Sequence, residues 1–237
     1  MPLFGKNDLN GFLKKENLDL LIIKKIAHSC HRSYYFLSGQ KSKRTLIKNK
    51  KMDKQNLEYM TFGGGCFWCV DSVLDLLKGV ESTTSGYAGG HTENPTYEEV
   101  CTGETGHAEV VQLAYDPTII SYDQLMDVFF FLHDPTQLNR QGDDIGTQYR
   151  SVIFYKDDAE KAKAEAALKL SEASGKYSGK YVTEITKLEK FWPAEQYHQG
   201  YYEANPTQPF CSAVVGPKVA KFKKHFGELG MLRPEVN

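Results

Sequence analysis

Two cysteines stand in a sequence context that favours thiol chemistry. Cys66 and Cys69 follow a run of three glycines and enclose two large rings, Phe67 and Trp68. Apolar residues recur at helical spacing from Phe67 onward, so the pattern predicts a helix that starts at this pair. Unpaired backbone N–H groups and the dipole at a helix start stabilise a thiolate. The spacing therefore predicts a nucleophilic Cys66 with a hydrophobic pocket beside it and a second thiol one turn away.

Other interpretations of the cysteines are weaker. An inert Cys66 among core aromatics stays open, whereas a phosphate loop lacks the Gly-Lys-Ser/Thr that should follow its glycines. The remaining cysteines, Cys30, Cys101 and Cys211, are too few and too unevenly spaced for a disulfide framework, which favours a reducing compartment. A zinc site would require a second C-x-x-C or a paired histidine motif. We therefore expect no bound metal.

Five polar residues could act on a molecule bound near the thiols. Glu109 starts a β-rich segment next to a loop, and burial against the rings would raise its pKa toward that of a general acid. Tyr97 and Tyr149 lie in loop-like segments, where a phenol can donate to a ligand oxygen. Asp144 and His198 are also candidates. Each residue also has a structural alternative. Glu109 could be an exposed charge, the two tyrosines could pack in the core, Asp144 could be a turn residue, and His198 could be a structural histidine.

The elements that must position these residues form an α+β pattern, because strands and helices are mixed without strict alternation. Strands are predicted over 82–86, 108–115, 151–155 and 181–188, and helices after Cys66, after the capping box of Ser121 and Gln124, and over 157–174. Long loops are predicted between these elements over 86–106 and 135–149, where functional residues concentrate. From Phe191 onward the pattern predicts irregular structure.

The charge is divided unevenly along the chain. Residues 1–51 hold twelve Lys and Arg against three Asp and Glu, a charge of +9, which leaves 17 against 27, or −10, for residues 52–237. The first segment lacks a regular apolar pattern, so we predict a disordered basic extension over 1–51 and one catalytic domain over 52–237. An organellar transit peptide is an alternative for the extension, although its three acidic residues disfavour it.

Five segments resemble the A-type peptide methionine sulfoxide reductases, in a Gly-Cys-Phe-Trp-Cys variant, from about Tyr59 to about Phe222. In chain order they are Gly-Cys-Phe-Trp at 65–68, Gly-Tyr-Ala-Gly-Gly at 86–90 with the loop at 94–101, Thr-Gly-His-Ala-Glu at 105–109, the segment 141–151, and Glu-Gln-Tyr-His-Gln at 195–199. Their number and order make chance similarity implausible. The fold implied is a two-layer α/β sandwich around a mixed sheet with a ferredoxin-like core.

The resemblance implies that the protein reduces methionine (S)-sulfoxide, free or in proteins, to methionine. Phe67 and Trp68 would hold the ε-methyl group. Glu109, with Tyr97 and Tyr149, would hydrogen-bond the sulfoxide oxygen and supply a proton. The Cys66 thiolate would then attack the sulfur and become a sulfenic acid.

Further residues and partners follow from the same resemblance. Asp144 would support catalysis and His198 would support substrate binding. The reductant would be thioredoxin, with no bound cofactor, and the substrates would be oxidised proteins and free methionine sulfoxide. We expect a cytoplasmic monomer that repairs oxidised proteins under oxidative stress, with no nucleic-acid or membrane partner.

The thiol that attacks the sulfenic acid, here called the resolving thiol, has two candidates. Many family members have Gly where this chain has Cys69, and resolve with a cysteine in a glycine-rich C-terminal tail. Cys211 occupies roughly that place but lacks the glycines. A Cys66–Cys69 bridge needs only local adjustment, so we favour Cys69 and keep Cys211 as the alternative.

Two other functions are alternatives to reduction of the sulfoxide. A C-x-x-C thiol–disulfide oxidoreductase would share the cysteine pair but would have no use for Glu109 or Tyr97. A module that binds modified side chains in an aromatic cage would leave both thiols unused. Loss of thiols on mixing with methionine sulfoxide would distinguish the reductase from the cage.

Overall fold

The computed structural model describes residues 56–236. Its central feature is a six-stranded mixed sheet with the strand order β7-β6-β1-β3-β2-β8. The strands are β1 (Glu58–Gly64), β2 (Val80–Ala88), β3 (Ala108–Tyr115), β6 (Ser151–Tyr155), β7 (Glu184–Lys187) and β8 (Phe191–Pro193), while β4 (Arg140–Gln141) and β5 (Asp144–Ile145) form a separate hairpin. Neighbours in the sheet pair antiparallel except β6 and β7, which are parallel.

Helices and short helical turns connect and cover these strands. The α-helices are α1 (Phe67–Leu74), α2 (Tyr97–Cys101), α3 (Tyr122–Leu132), α4 (Asp158–Ala173), α5 (Tyr201–Ala204) and α6 (Gly216–Glu228). The 3₁₀ turns are Thr147–Tyr149, Gln196–His198 and Pro234–Val236, and Cys211–Val215 is a π-helical turn. Within residues 56–236, no helix is long and apolar enough to cross a membrane.

The two faces of the sheet are buried to different extents. Val111 and Ile153 point into the main core between the sheet and the helices, where Phe62 of β1 packs on Phe129 of α3 with ring centroids 4.9 Å apart. Their neighbours Val110 and Val152 point the other way, into a smaller apolar cluster. This alternation is the period of two of a β-strand. The α+β fold with a mixed sheet predicted from sequence is confirmed.

Local signals located several elements correctly. The strands at 108–115 and 151–155 have the predicted bounds. Helix α3 begins after Ser121, whose hydroxyl accepts the N–H of Gln124 while the Gln124 side chain accepts the N–H of Ser121. Asp157 caps α4 through the N–H of Glu160. Caps satisfy backbone donors at helix starts, and the capping box of Ser121 and Gln124 predicted the start of α3 from sequence alone.

Three predictions of loop or irregular structure were wrong. The predicted loop over 135–149 contains the β4–β5 hairpin and a 3₁₀ turn. Residues 86–88, predicted as loop, continue β2, and a short helix, α2, interrupts the predicted long loop. Residues 216–228, predicted as irregular, form α6, whose apolar stripe of Val219, Phe222 and Phe226 is buried. Pro217 lies in its first turn, where a missing N–H costs nothing.

Candidate active site

Cys66 lies in the tight connection between β1 and α1. The strand ends at Gly64, and Cys66 occupies the N-cap position of α1, where it is 9% exposed. Gly63 has no room for a side chain, because a Cβ there would lie 2.6 Å from the carbonyl oxygen of Glu109. Gly65 has a φ of +99°, which few other residues adopt. The glycines thus bring the thiol against β3, and the predicted helix start at Cys66 is confirmed.

The two thiols form a buried pair with unequal acidity. The hydrogen bond that the Cys66 thiol donates to Cys69, and burial, raise the pKa of Cys66. The same hydrogen bond and the Lys218 ammonium lower the pKa of the Cys69 thiol, against the opposing effect of burial. The sequence predicted the thiolate at Cys66. In the reduced protein the hydrogen bond from Cys66 and the Lys218 amine against the second sulfur favour it at Cys69.

Glu109 is held directly beside the thiol pair. It lies on β3, is 1% exposed, and its Oε2 accepts the N–H of Phe67, the first residue of α1, at 3.0 Å. Burial raises its pKa to about 8, and the charges of Asp144 and Cys69 act in the same direction. The carboxyl is therefore mostly protonated at pH 7. The burial on which a general-acid role for Glu109 depends is present, and it rules out the alternative of an exposed charge.

Tyr97 and Tyr149 face the same site from two short helical segments. Tyr97 is the first residue of α2, after a capping box of Thr96 and Glu99, and Tyr149 ends a 3₁₀ turn. Burial and then the charge of Glu109 raise the pKa of both phenols, and Cys66 also contributes. Both phenols therefore keep their protons near neutral pH and can donate to an oxygen.

Phe67 and Trp68, which follow Cys66 in the chain, belong to one cluster of aromatic rings. Phe67 is 1% exposed, and its ring centroid lies 6.4 Å from that of Tyr97 and 4.9 Å from that of His198. Trp68 stacks on Tyr201 with centroids 3.8 Å apart and an interplanar angle of 6°. The rings predicted at positions 67 and 68 thus form one wall, and Tyr201, which sequence analysis did not select, supports it.

His198 orients the indole of Trp68. The indole Nε1 donates to His198 Nδ1 at 3.1 Å, so the other nitrogen, Nε2, carries the imidazole hydrogen. Burial lowers the pKa of His198 to about 4, which keeps the ring neutral. The structure therefore places His198 behind the wall as a support for Trp68.

Glu195 is a functional candidate that sequence analysis did not single out. Its two carboxylate oxygens accept the N–H of Tyr97 at 2.8 Å and the hydroxyl of Tyr87 at 2.9 Å, and Oε2 lies 3.8 Å from His198 Nε2. One side chain thus holds α2, β2 and the turn of His198 together. Its position inside the fifth matching segment was the signal available in the sequence.

Asp144 and Lys218 complete the charges around the thiols. Burial raises the pKa of Asp144 and Lys218 opposes that rise. Lys218, in the first turn of α6, donates from Nζ to Cys69 Sγ at 3.4 Å. Sequence analysis missed Lys218 because the segment around it was predicted to be irregular.

The other cysteines occupy different settings. Cys211 is fully buried in the π-helical turn and its N–H donates to Gln208 Oε1 at 3.0 Å. Cys101 is exposed at the end of α2. Cys30 and the predicted extension over 1–51 lie outside the described residues. Within residues 56–236, no group of three or more His, Cys, Asp and Glu side chains could hold a metal ion.

A buried dithiol, a protonated carboxyl and an aromatic wall on an α+β fold define a thiol-dependent oxidoreductase. Comparison with known proteins identifies the family. The model of the peptide methionine sulfoxide reductase family matches residues 58–229. The chain belongs to the peptide methionine sulfoxide reductases of the A type and is an enzyme that reduces methionine sulfoxide.

Relatives and solved structures agree with this assignment. The chain is 54% identical to the peptide methionine sulfoxide reductase MsrA of Natronomonas pharaonis, over 71% of this chain and 94% of the relative. It is 57% identical to that of Nautilia profundicola over 69% and 92%. Methionine sulfoxide reductase A of Corynebacterium diphtheriae superposes with a TM-score of 0.60 at 39% identity, covering 65% of this chain and 77% of the other. Mxr1 from Saccharomyces cerevisiae in reduced form gives 0.60 at 35%, covering 69% and 94%.

Proposed function

We propose that this enzyme reduces the S epimer of methionine sulfoxide, free or within proteins, with Cys66 as the nucleophile. One observation carries the proposal: the buried carboxyl of Glu109, whose pKa burial raises to about 8, accepts the N–H of Phe67, the residue that follows Cys66. The proton donor, Glu109, is thereby held at the residue next to the thiol of Cys66. That is the pair a sulfoxide needs, since protonation of its oxygen makes its sulfur electrophilic.

The aromatic wall would select the substrate. A sulfoxide sulfur carries a methyl group, an oxygen and the rest of the methionine side chain. Phe67 and Trp68 would receive the methyl group, while His198 keeps the indole in place through its hydrogen bond. With the methyl group on the wall and the oxygen on the donors, one configuration at sulfur presents itself to Cys66. This supports discrimination between the two epimers.

Glu109, Tyr97 and Tyr149 would hold the oxygen. All three are protonated near neutral pH because burial raises their pKa values. Asp144 supports them through its charge, which helps to keep the proton on Glu109. Donors that are fixed before the substrate arrives stabilise developing charge without reorganisation.

The first half-reaction is balanced in atoms and electrons. The Cys66 sulfur gives two electrons to the sulfoxide sulfur, whose bond to oxygen breaks. The oxygen ends on Cys66 as a sulfenic acid, and methionine leaves. The oxygen keeps the proton that Glu109 donates, and the proton that the Cys66 thiol loses restores the Glu109 carboxyl.

The second half-reaction would restore the thiol. Cys69 attacks the sulfenic acid, an S–S bond forms, the S–O bond breaks, and water leaves. Cys69 is one helical turn away and already accepts a hydrogen bond from Cys66. Thioredoxin would then reduce the disulfide, as the family resemblance implies, and no bound cofactor takes part.

A single-turnover experiment tests the proposal. The reduced protein is mixed with one equivalent of methionine (S)-sulfoxide or (R)-sulfoxide, quenched in acid, and analysed for methionine and by a peptide map of its cysteines. We expect about one methionine per protein and a Cys66–Cys69 disulfide with the S epimer, and neither product with the R epimer. Equal turnover of both epimers, or a disulfide that omits Cys66, would contradict the proposal.

A further inference from the structure

Lys218 is the charged side chain that touches Cys69. Its Nζ donates to Cys69 Sγ at 3.4 Å although the two residues are 149 positions apart in sequence. Cys69 is 6% exposed and Lys218 is partly buried, so water screens the contact poorly. The contact crosses from α6 to α1, two helices that pack on each other.

The backbone places Lys218 at this point. The π-helical turn Cys211–Val215 runs directly into α6, and Val219 beside Lys218 is anchored in the core. Side chains one position apart on a helix point in different directions, and with Val219 in the core the partly buried Lys218 reaches Cys69 of α1. The fold therefore sets the ammonium group against the second sulfur.

We propose that Lys218 is a catalytic residue of the second half-reaction, because its ammonium holds Cys69 as the thiolate that attacks the Cys66 sulfenic acid. This inference rests on the proposed role of Cys69. The bond formed is Cys66–Cys69 and the bond broken is the S–O bond of the sulfenic acid. The departing hydroxide takes the proton of the Glu109 carboxyl to become water, and Glu109 regains a proton from solvent. Lys218 keeps its own proton throughout.

The surrounding charges are consistent with this role. Cys69 faces Cys66 at the start of α1, Glu109 on β3, Asp144 on β5 and Lys218 on α6. Asp144 raises the pKa of the Cys69 thiol, and Lys218 lowers it. Once Cys66 carries the oxygen, its thiol no longer donates a hydrogen bond to Cys69. The ammonium of Lys218 is then the group that still favours the thiolate.

The contact also bears on the release of the disulfide. A thiol of lower pKa is the better leaving group in thiol–disulfide exchange. An incoming thiolate that attacks Cys66 Sγ would expel Cys69 toward the Lys218 ammonium. Lys218 would thus stabilise the Cys69 thiolate in both steps, when Cys69 attacks as the nucleophile and when it departs as the leaving group.

The first test measures the acidity of Cys69 directly, without substrate. Cys69 is the remaining thiol of the pair in C66S, and its rate of alkylation by iodoacetamide is followed by mass spectrometry of its peptide across pH. We expect the pH midpoint of alkylation to move upward by one unit or more on adding Lys218→Met, and to return toward its starting value with Lys218→Arg. An unchanged midpoint with Lys218→Met overturns the proposal.

The second test follows single turnovers with Cys66 intact. At pH 7 we expect Lys218→Met to form the Cys66–Cys69 disulfide at least about threefold more slowly after methionine release, since a pKa higher by one unit lowers the thiolate fraction up to tenfold but partly raises its nucleophilicity. The delay should shrink as the pH rises. Lys224→Met, an exposed lysine on the same helix, removes the same charge and should behave as the wild type.

The controls separate this proposal from the proposed function. Thermal melting and the rescue by Lys218→Arg exclude a folding defect as the cause of slow disulfide formation. If the wild type releases no methionine, the proposed function fails. If it releases methionine and Lys218→Met closes the disulfide as fast as the wild type at pH 7, the role of Lys218 alone fails.

Discussion

At the scale of single residues, Glu109 shows how burial changes the acidity of a side chain. The carboxyl has one hydrogen bond from the Phe67 N–H, which favours the charged form, yet burial outweighs it and raises the pKa to about 8. A carboxyl with this pKa can give a proton at neutral pH and take it back. Burial of this carboxyl therefore lowers the stability of the fold at neutral pH but gives the site a general acid.

Glu109→Gln tests the acid. The amide keeps the shape of the side chain but has no acidic proton, so we expect the rate of methionine release in a single turnover to fall by roughly 10²-fold or more. In the wild type, this rate should decline as the pH rises past about 8, where Glu109 loses its proton. An unchanged rate in the variant would assign the proton to Tyr97 or Tyr149.

The same substitution should stabilise the fold. A pKa raised above its unfolded value gives stability that is complete below about 4.5 and is lost as the pH rises through about 8. Glutamine does not titrate, so Glu109→Gln should exceed the wild type in free energy of unfolding by ~2–4 kcal/mol at pH 7 and match it near pH 4. Urea denaturation at both pH values measures this difference. A destabilised variant at pH 7 would show that Glu109 is ionised in the folded protein.

Cys66→Ser tests the nucleophile. A hydroxyl is a far weaker nucleophile than a thiol at neutral pH, so we expect no detectable reduction of methionine sulfoxide with either dithiothreitol or thioredoxin. Its thermal melting point should stay close to that of the wild type, because serine replaces cysteine with little change in volume. Retained activity would remove Cys66 from the mechanism.

At the scale of elements, α1 unites both thiols and both rings of the wall. The helix begins where β1 ends, so the tight glycine turn fixes Cys66, and one turn of helix fixes Cys69. Cys211 instead lies on a π-helical turn in the C-terminal segment, fully buried. Bridging Cys66 to Cys69 closes a short loop, which favours a local resolving step.

Paired serine variants test which cysteine resolves. Cys69→Ser should release about one methionine per protein, accumulate a sulfenic acid that dimedone traps, and lose turnover with thioredoxin. Cys211→Ser should turn over almost as the wild type does. The opposite result would assign resolution to Cys211, and a need for both would indicate a relay from Cys69 outward.

At the scale of the whole molecule, the family match and the described fold both fall in the acidic part of the chain. The family model covers residues 58–229, and the first strand starts at Glu58. The basic residues of 1–51 precede both. We therefore retain the prediction that residues 52–237 are the catalytic domain.

Deletion of residues 1–51 tests this boundary. We expect the melting temperature and the turnover of the shortened protein to stay close to those of the full chain, since the deleted segment has no regular apolar pattern with which to pack. Circular dichroism melting and steady-state turnover measure both. Unfolding or loss of activity would show that the extension belongs to the fold.

Much of this protein follows from local sequence. A capping box located α3, a run of Ala, Lys and Glu located α4, and a β-rich run located β3, because each signal acts within a few residues. The five matching segments, with Cys66 among them, identified the family and its candidate residues. Helix α6 was missed although Val219, Phe222 and Phe226 have helical spacing, because the prolines near it favoured a prediction of irregular structure.

The chemistry of the site was decided by tertiary structure. Trp68 meets His198 across 130 residues and Cys69 meets Lys218 across 149. Contacts between residues so far apart in sequence depend on how the helices pack, which no local pattern encodes. Burial likewise depends on the whole fold, and it is burial that raises the pKa of Glu109. Sequence therefore determined which groups are present, and folding determined which thiol has a cation beside it and which carboxyl keeps its proton.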